Sequence, residues 1–299
     1  MAAVPNDLPE AATRRFAEGA FTSGLTVPDF AACLQMGLEP VGYVQGFCVM
    51  QWRWYGMGTP YGIFGQYTGS NNRGYSENWQ CPHGFVSAEH RGWGQNYEQS
   101  WVEDAWRQGF DGAYERMVEE ATAAGAHGIV GLVDSTERLG DLGVLEFRVQ
   151  GTAVRVKDGP APTGGRPWTT YLAGQRLAKS IEAGFAPVSI AATVASVRIW
   201  AYCITEYLTE GSNASWGYRV GAAEIEQTAH AHMAVRRIAR DQVRAQLGGD
   251  SLHGASMTTT ERELGQGDAE LQCILRGNRV RRFKKFDPLP PPRPTVRLL

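Results

Sequence analysis

The chain lacks any run of about 18 apolar residues, so no membrane-spanning helix is expected. Its most apolar stretch, Phe185 to Tyr202, is broken by Ser189, Thr193, Ser196 and Arg198. Met1 to Glu10 holds no basic segment leading into an apolar core, so no secretory leader is read there and a cytoplasmic protein is the expectation. Neither sign of charge is in excess. The 29 Lys and Arg face 31 Asp and Glu, a net charge of -2, which makes nucleic acid an unexpected partner. Cysteine is sparse, odd in number (five) and widely spaced, with no CxxC pair. That excludes a disulfide framework and an ordinary zinc ribbon. Also missing are a GxSxG elbow, a phosphate-binding P-loop and a GxGxxG turn after a strand. Gly56-Met57-Gly58 has no third glycine and no following helix. No catalytic residue is therefore nominated. Carboxylates such as Asp134, Glu137 and Asp141 would make an acid–base pair only if the fold brought them together.

What is present is ordinary globular material: 43% apolar and 20% charged residues in 299, enough chain for about two domains. Residues 157–167, with Pro160, Pro162, Pro167 and three glycines around them, can continue neither a helix nor a central strand and read as a linker. Residues 287–299 form a Pro-rich tail of extended, polyproline-like character.

The two sides of the linker resemble each other. Pro28 to Val41 and Arg176 to Val188 each read as a short helix, a glycine at its end, an apolar residue, a spacer, and Pro-Val. Glycine ends a helix cheaply in the left-handed region, and proline favours an extended start. Strands are expected over Val41 to Trp54 and Val188 to Tyr202. A long helix follows in each half. Trp106, Phe110, Ala113, Met117, Ala121 and Ala124 make one apolar stripe, and Ile225, Thr228, His232, Val235, Ala239 and Val243 a poorer one. Two strands then follow each helix: His127 to Glu137 with Val144 to Val156, and Ser251 to Glu261 with Glu270 to Phe283. Thr136-Glu137-Arg138 and Thr260-Glu261-Arg262 look equivalent. The expected fold class is α+β: two tandem two-layer βαββ domains, each a small antiparallel sheet with one long helix. The first covers 1–156 with a long aromatic and Gly-rich insertion at 55–100, and the second covers 168–286.

The run Glu120 to Leu132, with Gly125-Ala126 ending the helix and Ile129-Val130-Gly131 opening a strand, followed by Glu146-Phe147 and Gly151-Thr152-Ala153-Val154, resembles the signature of the YbjQ-like family, named for heavy-metal binding. Asp111-Gly112-Ala113-Tyr114-Glu115 resembles that family's helix start. The match covers Pro40 to Val156. The second half departs from it, with Gly277-Asn278-Arg279-Val280 in place of Gly-Thr-Ala-Val. The resemblance implies a dodecin-like βαββ fold and homo-oligomeric rings.

Within the insertion, Cys81, His83 and His90 are the candidate metal ligands, since thiolate and imidazole suit zinc or another soft transition metal. A fourth ligand would have to come from Glu89, His127 or the second half. The alternative is a loop cysteine with two solvent-facing histidines. His230 and His232, two residues apart on a helix, point to different faces and read as surface and core side chains. Cys33, Cys48 and Cys273 read as small buried hydrophobes. Arg276, Arg279, Arg281, Arg282, Lys284 and Lys285 make a basic run that either attracts an anionic surface or is a solvated strand end. The leading expectation is a non-catalytic, ring-forming binding or scaffold protein. A partner would be met through the insertion 55–100 or the Pro-rich tail. The alternatives are a metal-binding protein using the Cys/His cluster, and an enzyme with a site at a subunit interface.

Overall fold

The structure, a computed structural model, describes residues 22–51, 84–86, 95–139, 144–159, 165–200, 225–265 and 268–284. The chain runs α1 (Val27–Gln35), β1 (Leu38–Gln51), β2 (Gly84–Val86), β3 (Gln95–Glu98), α2 (Ser100–Ala123), β4 (Gly128–Leu139) and β5 (Val144–Val156). It continues with β6 (Trp168–Thr169), α3 (Gly174–Glu182), β7 (Phe185–Trp200), α4 (Glu226–Leu247), β8 (Ser251–Gly265) and β9 (Asp268–Arg282). Among the described residues no helix is long and apolar enough to cross a membrane.

The fold is α+β, with four helices and two sheets among the described residues. One sheet has the order β1-β5-β4-β6 and the other β2-β3-β7-β9-β8. The short helices end as glycine chemistry dictates: Gly37 (φ 74°) follows α1 and Gly184 (φ 78°) follows α3. Thr26 caps α1, its Oγ1 accepting from Asp29 N–H at 3.3 Å. The stripe of α2 is buried as its spacing requires, through Trp106, Phe110, Ala113, Met117 and Ala121. On α4 the buried positions are Gln227, Ala231, Ala234, Val235, Ala239 and Val243. The stripe therefore drifts off Thr228 and His232 toward the helix start.

Both first strands begin three residues before the expected Val, at Leu38 and Phe185. Each carries its proline at a register shift, Pro40/Gly42 and Pro187/Ser189. Proline has no N–H for a ladder, and a bulge is where a strand tolerates that loss. A second bulge recurs too, at Val130/Val133 in β4 and His253/Ser256 in β8. Each holds a left-handed glycine, Gly131 (φ 62°) and Gly254 (φ 60°). The ladders fall into correspondence throughout: Leu38↔Val156 and Gly128↔Val154 in one sheet match Phe185↔Arg282 and Ser251↔Val280 in the other. This register corrects one expectation. Thr136↔Phe147 corresponds to Thr259↔Cys273, so the two Thr-Glu-Arg runs are out of step by one residue and present opposite faces.

Two segments cross the linker. Strand β3, the end of the insertion, pairs antiparallel with β7 in the second sheet. Strand β6, just after the linker, pairs parallel with β4 in the first. The core around α2 accordingly includes Val194, with Ile190, Ala192 and Ile274 packed against it. A separate cluster beneath the short helices joins Cys33, Leu38, Val130 and Val154 to Leu177 of α3. Each such aliphatic side chain withdrawn from water contributes roughly 1.5–3 kcal/mol, so the two sheets are bound by apolar burial as well as by hydrogen bonds.

Candidate functional site

The seam where α2 meets β7 and α4 concentrates the polar residues that the fold buries. Glu103, one turn before Trp106 on α2, is only 4% exposed. Its Oε1 accepts from Ser196 N–H of β7 at 2.9 Å, and its Oε2 accepts from Gln242 of α4. The Gln242 carbonyl oxygen is in turn bonded by the Thr193 hydroxyl. The Ser196 hydroxyl lies 2.9 Å from Gln99 Oε1 and 3.3 Å from Glu270 Oε1. Glu270 is paired with Arg262 and accepts from Gln272 Nε2 at 3.0 Å. Burial pushes the Glu103 carboxyl up to about 7. The Ser196 N–H opposes that shift, the Glu98 carboxylate adds to it, and Gln242 opposes it.

On the solvent side of this network lies a cleft of about 490 Å³ between α2, β7 and α4. Phe110, Tyr114 and Ile190 form its apolar wall, and Arg107, Asp111 and Gln242 are among its polar groups. The rings of Trp106 and Phe110 stack at 4.8 Å, and Phe110 and Tyr114 at 6.3 Å, along one side of α2. Burial raises the Asp111 carboxyl, and Arg107 opposes it. Glu103, the group that titrates near neutrality, does not line this cleft; Thr193 and Gln242 stand between them. The arrangement holds two helices to one strand. Among the lining residues no nucleophile is aligned with a base.

The seam continues beyond β7. Asp134 of β4 binds Arg276 of β9 at 2.6 Å, with the carboxylate only 3% exposed. Tyr171 sits against this pair, and burial together with the Asp134 charge holds its phenol well above the usual value. Tyr114 Oη is 2.8 Å from Thr169 Oγ1, which also accepts from Ile190 N–H at 3.0 Å. Asn278 Oδ1 accepts from the Thr170 hydroxyl at 2.8 Å and from Tyr171 N–H at 2.7 Å.

The candidate ligands Cys81, His83 and His90, with Glu89, lie outside the described residues, as do most of the insertion and the Pro-rich tail. His127 is structural: its Nδ1 accepts from Val156 N–H at 3.2 Å. Among the described residues no cluster of three His, Cys, Asp or Glu could hold a metal ion. His232 Nε2 stands 4.0 Å from Glu261, on the half-buried side of α4. Cys33, Cys48 and Cys273 are buried and free. Asp134 and Glu137 form no pair, because Asp134 is taken by Arg276. Three of the six cations in the basic run are paired: Arg276 with Asp134, and Arg279 and Arg281 with Asp250 at 2.7 and 2.9 Å. The seam residues Glu103, Ser196, Gln242 and Asn278 left one trace in the sequence, a carboxylate beside a helix's apolar stripe.

No family model matches the chain, and no solved structure matches it. The YbjQ-like resemblance is thus carried by the residues alone. Among curated proteins the chain is similar to an encapsulin nanocompartment protein of Mycobacterium tuberculosis (strain ATCC 25618 / H37Rv), 29% identical over 177 residues that make up 58% of this chain and 55% of that protein. The chain therefore spans about half the length of the curated relative it matches.

Proposed function

We propose that the chain is a non-catalytic, ring-forming scaffold or binding protein of the cytoplasm, built from two tandem dodecin-like βαββ units of YbjQ-like character. The first unit is 1–156, carrying the insertion 55–100, and the second is 168–286. The observation that carries this is the shared ladder register, with both bulges at matching places in the two sheets. The contact between the units is the second support. It joins unlike sides: β4, the outer long strand of the first sheet, faces the start of the second unit, while among the described residues the matching outer strand β8 ends its own sheet. A contact between unlike sides leaves one half of it unmatched on each unit. Repeated between copies, it closes into a ring or runs on as a filament.

The face of β8 favours the same reading. Among the described residues it is a 15-residue edge strand, and an open edge of that length is an aggregation liability unless something pairs with it. The relative's name, which refers to a nanocompartment, suits a chain that works within a larger assembly. Native mass spectrometry of the purified chain tests the proposal. Masses at several chain copies are expected, and a monomer at every concentration would refute it.

A further inference from the structure

The link between the two units is a short strap. Residues Trp168 to Leu172 lie along β4, with Trp168 N–H donating to His127 O at 3.1 Å and Thr170 N–H to Ile129 O at 3.0 Å. In return, Gly131 N–H donates to Leu172 O at 3.0 Å and Leu132 N–H to Thr170 O at 3.2 Å. The strap is held in shape by its own unit. Tyr171 N–H is fixed on Asn278, and Leu172 N–H donates to Thr170 Oγ1 at 3.1 Å.

The same strap exists a second time, before α1. Phe21-Thr22-Ser23-Gly24-Leu25 matches Trp168-Thr169-Thr170-Tyr171-Leu172 position by position: an aromatic residue, Thr, a hydroxyl residue, any residue, Leu. Its described part is held in the same way. Gly24 N–H donates to Thr152 Oγ1 at 3.1 Å, Ser23 Oγ lies 3.4 Å from that hydroxyl, and Leu25 N–H donates to Ser23 Oγ at 3.1 Å. Thr152 occupies in β5 the place of Asn278 in β9, since Tyr43↔Thr152 corresponds to Ile190↔Asn278. The receptor is duplicated as well. The β4 strap binds at Ile129–Leu132 around left-handed Gly131, and β8 repeats that bulge at Leu252–Ala255 around left-handed Gly254. Among the described residues no strand lies beyond β8.

We infer that Thr22–Leu25 of one copy lies along β8 of a second copy, as the internal strap lies along β4. Ser23 N–H then donates to Leu252 O, Gly254 N–H to Leu25 O, and Ala255 N–H to Ser23 O. The partner is a second copy of this chain, and the contact is heterologous. The inference rests on the ring-forming reading and names the segment that joins the copies. Main-chain pairing of this kind supplies affinity, and the fixed bulge supplies register. The neighbouring helix contact differs in one respect. Within the chain, α3 approaches α1 so closely that a Cβ on Gly174 would lie 2.4 Å from Asp29 Cα. Between copies Val27 takes the place of Gly174, so that helix pair stands further apart. Val27 (84% exposed), Leu34 (50%) and Ile181 (36%) give the wider gap an apolar lining.

The test mixes two full-length variants, Ser23→Cys and Ala255→Cys. A disulfide between positions 23 and 255 can then form only between copies, and peptide mapping after mild oxidation reads it. In parallel, Ala255→Pro removes the N–H offered to Ser23, and native mass spectrometry reads the assembly. A 23–255 linkage, with loss of most of the high-mass species in Ala255→Pro, supports the strap. An assembly that persists in Ala255→Pro without any 23–255 linkage overturns the strap and leaves the scaffold reading standing. Wild-type chain that is monomeric at every concentration overturns both.

Discussion

Replacing Glu103 by Gln should make the chain more stable at pH 8 and should flatten its dependence on pH. In the folded chain the Glu103 carboxyl is raised from the ordinary 4.5 to about 7. The folded state therefore holds its proton more tightly than the unfolded chain does. Its stabilising contribution is complete below pH 4.5, declines as pH rises through the window from 4.5 to 7, and is gone above it. At about 1.4 kcal/mol per pH unit the full span from 4.5 to 7 is an upper bound of about 3–4 kcal/mol. Glutamine preserves the acceptor for Ser196 N–H. Its amide NH2 then meets Gln242, whose own amide turns over, and the Thr193 hydroxyl can accept where it had donated. The measurement is urea unfolding of both proteins at fixed concentration in steps from pH 5 to pH 8. The difference between their free energies should grow in favour of Glu103→Gln across that range. Two parallel curves would show that Glu103 is already ionised at pH 5 and that the network tolerates its charge, which would refute the reasoning.

Asp134→Ala should cost about 3–5 kcal/mol, because it strands Arg276 between the sheets without its carboxylate. Asp134→Leu combined with Arg276→Met should recover much of that loss, and thermal unfolding of the single and double variants checks both outcomes. For the insertion, Cys81→Ala should leave the metal content of chain purified without chelator unchanged by elemental analysis. One equivalent of zinc per wild-type chain, lost in Cys81→Ala, would move the function to the metal-binding reading.

Most of the fold could be read in the sequence because its determinants are local. The glycines at 37, 125, 184 and 248 stop helices wherever they fall, and all four adopt positive φ. The stripe from Trp106 to Ala121 needs only a spacing of three or four to mark a buried face. Val144 to Val156 was bounded by Gly143 and by the linker, and the strand has those limits. What failed was register. The Thr-Glu-Arg likeness compared letters, whereas equivalence in a ladder is set by the partner each residue faces: Thr136 faces Phe147, and the residue facing the matching Cys273 is Thr259, one before the Thr of the second run.

The seam was hidden for a related reason. Glu103 has a carboxylate's usual look on a helix, and nothing near it in sequence shows that Ser196 and Gln242 will close over it. The linker likewise read as a boundary, although β3 and β6 each cross it to pair with the other half's sheet. A boundary drawn from proline and glycine marks where the chain turns and says nothing of which sheet the neighbouring strands join. The crossing has a consequence for assembly. On the proposed two-unit reading, β6 belongs to the second unit yet completes the first unit's sheet, so it fills the place at Ile129–Leu132 whose counterpart at Leu252–Ala255 has no strand beyond it among the described residues. On that reading a unit that lends its strap forward and receives one from behind is not finished as a single copy, and two units in tandem leave the same place to be filled on β8.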